Sequence, residues 1–151
     1  MLRQAFRDRL KEAMKARDAR TVSTVRLILA GLKERDVAAR GQGNLEGLSE
    51  ADIQRMLQGM IKQRRESIVL YQQGNRPDLA QQENEEIGVI ESFLPRQLDE
   101  GEIEAAAKDA IGETGAASVK DLGKVMAALR ERHAGVIDLG RAGAIVRRLL
   151  G

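Results

Sequence analysis

Apolar residues recur at steps of three and four positions along almost the whole of this 151-residue chain. In the first segment, Leu2, Phe6 and Leu10 fall on one side of a helix, and Ala13 continues the same side. No stretch of four to eight residues shows the β-branched alternation that is typical of strands. The pattern therefore predicts an all-α protein, and we count seven helices.

Capping residues and helix breakers mark where the predicted helices begin and end. The helix starts are marked by Asp18, Ser49, Pro77, the Asp99–Glu102 capping box, Ser118 and Asp138. Three glycines in 40–48 indicate a loop. Pro95 separates four helices from three. This division predicts an amino-terminal helical subdomain over 1–94 and a carboxy-terminal three-helix bundle over 95–151.

Apolar stripes that we expect to face a core run along the predicted helices. In the second helix the stripe consists of Val22, Val25, Leu29, Leu32 and Val37. In 119–133 it consists of Val119, Leu122, Val125, Met126 and Leu129. Aromatic residues are nearly absent, so the core is expected to be aliphatic.

The pair Gly123-Lys124 is similar to part of a phosphate-binding loop, but the rest of that motif is missing. A P-loop requires a glycine five positions before this one and a Ser or Thr after the lysine, whereas this chain has Ser118 and Val125 there. We expect Gly123 to allow the close approach of a neighbouring helix. Lys120 and Lys124 are four positions apart and share another helix face, which is available to an anion.

No combination of residues in the sequence assembles a catalytic centre. Cysteine is absent, which excludes disulfides, thiolate metal sites and a cysteine nucleophile. His133 is the single histidine, and a lone imidazole needs partner residues to bind a metal or transfer protons. Glu83 and Glu86 share a helix face and could bind a metal or do acid–base work, but we expect a solvated face instead. We therefore expect no catalytic residue, no metal and no cofactor.

Charge is distributed unevenly along the chain. Residues 1–40 hold 11 basic and 5 acidic side chains, a net charge of +6. Residues 76–118 hold 3 basic and 11 acidic side chains, a net charge of −8, and residues 119–151 hold 7 basic and 3 acidic, a net charge of +4. Basic regions of this kind attract polyanions, although the charge of solvated helix faces also varies by chance.

The sequence shows no feature of a membrane or secreted protein. It has no run of 18 or more apolar residues, and its amino terminus lacks a signal-peptide pattern. We therefore expect a soluble protein with no membrane partner, located in the cytoplasm.

Several segments resemble the GatB/YqeY family. The most specific are Leu94-Pro95 followed by Leu98, and "KDLGKVM" at 120–126. The likeness extends over essentially the whole chain, although Val136-Ile137 stand where the family pattern leads us to expect a basic or small pair. The resemblance implies a multihelical fold of two subdomains. It also implies that the carboxy-terminal bundle is shared with the tail of the B subunit of Asp/Glu-tRNA amidotransferase, where the tail is implicated in engaging tRNA and catalysis lies elsewhere.

Three functional alternatives follow from the resemblance and the charges. The first is an accessory protein that binds tRNA and is linked to tRNA-dependent amidotransferases without an active site of its own. Its phosphate contacts are predicted at Lys120, Lys124, Arg130, Arg147 and Arg148, with further candidates at Arg3, Arg7, Lys11 and Lys15. The second is a component of a carbon–nitrogen ligase with glutamine as amido-N-donor. The third is a protein-interaction scaffold that uses the acidic segment 76–118.

Overall fold

The computed structural model describes residues 1–151 and contains seven α-helices and no strand. The helices are α1 (Leu2–Ala16), α2 (Ala19–Gly41), α3 (Glu50–Gln73), α4 (Pro77–Glu91), α5 (Glu100–Thr114), α6 (Leu122–Arg132) and α7 (Leu139–Leu150). A short 3-10 helix, Val119–Asp121, precedes α6. The predicted all-α fold is confirmed. No helix has both the length and the apolar character that crossing a membrane requires.

The chain divides into two compact units, Met1–Leu94 and Pro95–Gly151. The first unit contains α1–α4 and the second contains α5–α7. Each unit has an apolar core of its own.

Most helix starts use the side chains that the sequence indicates. Asp18, Ser49 and Asp138 accept hydrogen bonds from backbone N–H groups in the first turns of α2, α3 and α7. Asp99 and Glu102 form a reciprocal capping box at the start of α5. Each of these bonds satisfies an N–H group that the helix itself leaves unpaired, which stabilises a helix by about 1 kcal/mol.

The core of the first unit lies among all four of its helices. Phe6 of α1 is fully buried, and its ring contacts the ring of Phe93 edge to face, with the centroids 4.8 Å apart. The other fully buried side chains of this core are Val25, Ile28, Ile53, Leu57 and Ile90. The core is thus aliphatic around one aromatic pair.

The predicted apolar stripe of α2 is only partly correct. Val25 and Leu32 are buried, but Val37 is 58% exposed, and Thr24 and Asp36 are buried on the inner face. The Thr24 hydroxyl donates to the carbonyl oxygen of Arg20 at 2.8 Å, so its burial leaves no polar group unpaired. Asp36 finds its partner on another helix, which the spacing along α2 does not reveal.

The partner of Asp36 is Arg3 of α1. The guanidinium donates to both carboxylate oxygens, Nη1 to Oδ2 at 2.6 Å and Nη2 to Oδ1 at 2.8 Å. The backbone N–H of Leu48 donates to Oδ1 at 2.9 Å. The Arg3 hydrogen bonds, above all other causes, lower the pKa of Asp36 from 3.8 to about 2. These bonds join the start of α1, the end of α2 and the loop at 42–49.

The core of the second unit lies between α5, α6 and α7. Its fully buried side chains include Ile103, Ala107, Ala110, Val125, Leu129 and Val146. The segment before α5 is held to the turn before α7, because the Leu98 N–H donates to the Val136 oxygen at 2.8 Å and Gln97 Nε2 donates to the Gly135 oxygen at 2.9 Å. Gly135 has a φ of 77°, a left-handed conformation that glycine adopts without strain.

The segment 118–123 differs from its prediction. Val119 is 47% exposed in the 3-10 helix, so it does not belong to the inward stripe. The Ser118 side chain makes no capping hydrogen bond. A Cβ atom built on Gly123 would meet nothing within 4 Å, so the expected close approach at this glycine is wrong. Helices α6 and α7 approach instead at Gly143, where a Cβ atom would lie 3.9 Å from Met126 Cε.

Candidate nucleic-acid interface

Lys120 and Lys124 are exposed, and neither forms an ion pair. Lys120 lies in the 3-10 helix and Lys124 in the first turns of α6. Asp121 lies between them in sequence, and its carboxylate accepts the N–H of Ala117 at 2.9 Å. That hydrogen bond is the main cause of the lowered pKa of Asp121, and the nearby charge of Lys124 adds to it. The two ammonium groups are therefore available to an anion, beside one carboxylate that is partly engaged.

Arg130 does not belong to the same patch as Lys124. The two residues are six positions apart on α6, which places them about 120° apart around the helix and about 9 Å apart along it. Val125 and Leu129, which are fully buried, occupy the inner side between these two flanks. Helix α6 thus presents Lys124 and Arg130 on opposite flanks.

The two arginines at the end of α7 are in different situations. Arg147 is exposed and forms no ion pair, whereas Arg148 Nη2 lies 3.3 Å from Glu104 Oε1 on α5. Consecutive helical residues point about 100° apart, so the two guanidinium groups leave the helix in different directions. Arg147 is available to a phosphate, while Arg148 would first have to exchange its carboxylate partner.

The candidates on α1 divide in the same way. The Arg3 guanidinium is occupied by Asp36, and its side chain is only 33% exposed. Arg7, Lys11 and Lys15 are exposed and form no ion pair. Their spacing of four places them in a row along the outer surface of α1. We therefore keep these three as candidate phosphate contacts and leave Arg3 out.

The acidic segment 76–118 is largely neutralised by arginines and lysines. All of its acidic side chains except Asp99 and Asp109 form ion pairs, and Asp99 caps α5. These pairs include Arg96 with Glu102 at 2.7 Å. The segment is therefore less available to a basic partner than its net charge indicates.

Glu86 overturns the expectation of a solvated glutamate face. It is buried, and its carboxylate accepts the Nε–H of Arg64 at 3.0 Å and lies 3.8 Å from Arg20. Burial is the main cause that raises the pKa of Glu83, followed by the charge of Glu86. Arginines from α2 and α3 thus hold α4 through these carboxylates, which gives the pair a role in packing.

The structure brings no metal-ligating group together. No cluster of three or more His, Cys, Asp or Glu side chains could hold a metal ion. His133 is half-buried at the end of α6, where its backbone N–H donates to the Leu129 oxygen at 3.0 Å. The exposed cations without ion pairs are the groups whose chemistry favours an anionic ligand.

Several exposed cations of the first unit are not among the residues that the sequence singles out. Arg17, Arg26 and Lys33 are exposed and form no ion pair. Arg17 ends α1 with a left-handed φ of 56°. The spacing of seven between Arg26 and Lys33 was a signal in the sequence, because residues seven apart share a helix face.

Comparisons with known proteins agree with the family resemblance. The family model described as "Yqey-like protein" matches residues 3–150. The chain is 32% identical to "Altered inheritance of mitochondria protein 41, mitochondrial" of Lachancea thermotolerans, over 69% of this chain and 54% of that protein. It is 28% identical to the protein of the same name in Vanderwaltozyma polyspora, over 75% of this chain and 62% of that protein. The chain thus matches little more than half the length of these relatives.

The names of the relatives contradict the cytoplasmic location expected from the sequence, because proteins so named are mitochondrial. That expectation rests on criteria that detect membrane spans and secretory signals. A protein in an aqueous compartment inside an organelle meets these criteria as well as a cytoplasmic protein does. Because the family model covers nearly the full length, the chain belongs to the YqeY-like protein family.

Proposed function

We propose that this chain is an RNA-binding accessory protein whose RNA is tRNA, linked to tRNA-dependent amidotransferases through the carboxy-terminal unit. The observation that carries the proposal is the contrast in ion pairing. Lys120, Lys124, Arg130 and Arg147 are exposed without a carboxylate partner, whereas the acidic segment is mostly paired. Unpaired cations on a compact helical unit can position a phosphate backbone without reading its sequence.

Within this proposal the contacts are not equivalent. Lys120 and Lys124 form the main contact, with Arg147 as a second point on α7. Arg130 lies on the other flank of α6, and Arg148 shares Glu104. We therefore expect substitutions at Lys124 to weaken binding more than substitutions at Arg148.

The protein-interaction alternative is less well supported. A basic partner would have to compete with the arginines that already bind the acidic side chains, such as Arg20, Arg64 and Arg96. A glutaminase assay distinguishes the ligase alternative from our proposal. The purified chain would release ammonia from glutamine if it were itself the amido-donating component, and in our proposal it does not.

A titration of labelled tRNA at several salt concentrations tests the proposal. Lys124→Glu should lower the affinity several-fold and flatten the log–log salt dependence by about 0.7–0.9, which corresponds to one phosphate contact. Lys120→Glu combined with Lys124→Glu should roughly double both effects. Lys108→Glu is the control, since Lys108 is an exposed lysine on α5 of the same unit and the charge change is the same. Equal losses from Lys108→Glu and Lys124→Glu would reduce the effect to net charge and refute the assigned contact.

A further inference from the structure

The α1–α2 hairpin carries cations that no acidic side chain neutralises. Only two residues join the helices, which pack against each other and therefore run antiparallel. Among their basic side chains, those of Arg3, Arg9 and Arg20 form ion pairs. The exposed ones without an ion pair are Arg7, Lys11, Lys15, Arg26, Lys33, Arg35 and Arg40. Their positions decide whether they form one surface.

The Arg3–Asp36 ion pair fixes how the helices align at one end of the hairpin. Arg7 follows Arg3 by four residues, and Lys33 precedes Asp36 by three. Each therefore lies about one helical turn closer to the connection between α1 and α2, on the flank where the two helices meet. Arg7 and Lys33 thus form a pair of cations across the helix junction.

Met14 and Val22 fix the alignment at the other end. They line one surface depression together with Arg17 and Arg26. Lys11 precedes Met14 by three residues, so it lies on the same flank of α1, one helical turn farther from the connection between the helices. Lys11 and Arg26 form a second pair of cations across the junction, beside Arg17.

We define the α1–α2 basic face as Arg7, Lys11, Arg17, Arg26 and Lys33. The acidic side chains of α1, Asp8 and Glu12, form no ion pair with these five cations. Gln4 donates to Asp8 at 2.8 Å, and Arg9 lies 3.9 Å from Glu12. The basic face therefore has two rows of positive charge, one from each helix, with apolar side chains between them.

No aromatic ring is part of this face. Phe6 is buried and contacts Phe93, and Tyr71 lies on α3. Proteins that hold unpaired bases stack them on exposed aromatic side chains, so this face lacks the usual means of binding single strands. Double-helical RNA is recognised through its shape and its phosphates, which cations alone can contact.

We infer that the α1–α2 basic face docks the phosphate backbone of double-helical RNA. The inference rests on the proposed RNA-binding function and adds the structural class of the RNA element and a second contact surface. Neighbouring cations on α1 are about 6 Å apart along the helix axis, so one face can contact several phosphates. Contacts of this kind are strongly salt-dependent and nearly independent of base sequence.

The test uses the full chain, a 20-base-pair RNA duplex, and one strand of that duplex alone. Lys11→Glu combined with Arg26→Glu should weaken duplex binding at least about tenfold and reduce the log–log salt slope by about 2, at about 0.9 per contact. Arg35→Glu combined with Lys62→Glu is the matched control. Both residues are exposed in the same unit, and Arg35 lies about half a turn around α2 from Arg26. The control should bind the duplex like the wild type, and circular dichroism should show all variants equally helical.

Any one of the following results would overturn the inference. The control variant loses as much affinity as the Lys11/Arg26 variant, or the wild type binds the single strand as tightly as the duplex. Alternatively, the Lys11/Arg26 variant keeps duplex binding and loses binding to phosphatidylglycerol vesicles, which assigns the face to a lipid surface. If the wild type binds tRNA and the Lys11/Arg26 variant binds it equally well, the inference fails and the proposed function stands. If the wild type binds no RNA at all, both fail.

Discussion

The Arg3–Asp36 ion pair should make a measurable contribution to the stability of the first unit. The pKa of Asp36 is about 2 in the folded chain and 3.8 in its ordinary state. This difference corresponds to about 2 kcal/mol of stability. The side chain of Asp36 is only 8% exposed, so solvent screening reduces this value little, whereas Arg3 can turn into water once its partner is lost. We therefore expect Asp36→Asn to cost about 2 kcal/mol at pH 7, less than the loss of a partner from a fully buried pair.

The pH dependence follows from the sign of the shift. Because the folded pKa lies below the ordinary value, the contribution is fully present above pH 3.8 and is lost as the pH falls towards 2. The difference between wild type and Asp36→Asn should accordingly shrink to about 1 kcal/mol near pH 2.5. Arg3→Met should cost at least as much at pH 7, because it leaves the buried Asp36 carboxylate without its partner. The double variant should be only slightly less stable than the less stable of the two single variants, which corresponds to a coupling energy of about 1–2 kcal/mol.

Tyrosine fluorescence reports the unfolding of the unit that contains the Arg3–Asp36 ion pair. Tyr71 is the only tyrosine, tryptophan is absent, and Tyr71 lies on α3 of the first unit. Urea unfolding of the four proteins should therefore be followed by Tyr71 emission at pH 7 and pH 2.5. A coupling energy below about 0.5 kcal/mol at pH 7, or a difference that does not change with pH, would refute the reasoning.

Three further substitutions test other parts of the structure. Gly123→Ala should stabilise the second unit by about 0.5 kcal/mol, because the added methyl group meets nothing within 4 Å and alanine favours a helix; a loss of stability in thermal unfolding would show hidden packing at this glycine. Gly47→Ala should destabilise the first unit by more than about 1 kcal/mol, because Gly47 has a φ of 81° and the new Cβ atom would lie 2.4 Å from an Asp36 oxygen that Arg3 and Leu48 hold in place. An unchanged urea midpoint would contradict this prediction. Glu83→Gln should raise the urea midpoint at pH 8 and not at pH 4, because the pKa of Glu83 is raised in the folded chain and its charged form therefore destabilises the fold as the pH rises above 4.5. A lower midpoint at pH 8 would show that the contact of Glu83 with Arg64, at 4.0 Å, matters more than its burial.

The sequence was sufficient to predict the helices because their signals are local. The capping residues Asp18, Asp99 and Asp138 act within three positions of themselves, so the sequence contains both partners of each hydrogen bond. The inner face of α2 was predicted less well. Val37 is apolar and exposed, while Asp36 is charged and buried because its partner lies 33 residues away on α1. Hydrophobic periodicity cannot detect a partner that only the tertiary structure brings near.

The same limit applies to the candidate interface. The sequence identifies which residues carry positive charge, but it does not show which charges are already neutralised. In the sequence nothing distinguishes Arg148 from Lys124 as a candidate phosphate contact, or Arg3 from Lys11. Only the tertiary structure shows that Arg3 and Arg148 each lie beside a carboxylate. Gly123 shows the opposite error, since a glycine in a helix suggested close packing and the space beside it is open.

The hydrogen bonds of residues 97 and 98 determine where the chain could be cut and recombined. Leu98 and Gln97 precede α5, yet both are bonded to the turn before α7. A fragment that began at α5 itself would lose these bonds and leave the Val136 and Gly135 oxygens without their donors. One that began at Pro95 would keep them and retain the complete core of the second unit. A gene fusion that carries this bundle to another protein would therefore have to carry residues 95–98 with it.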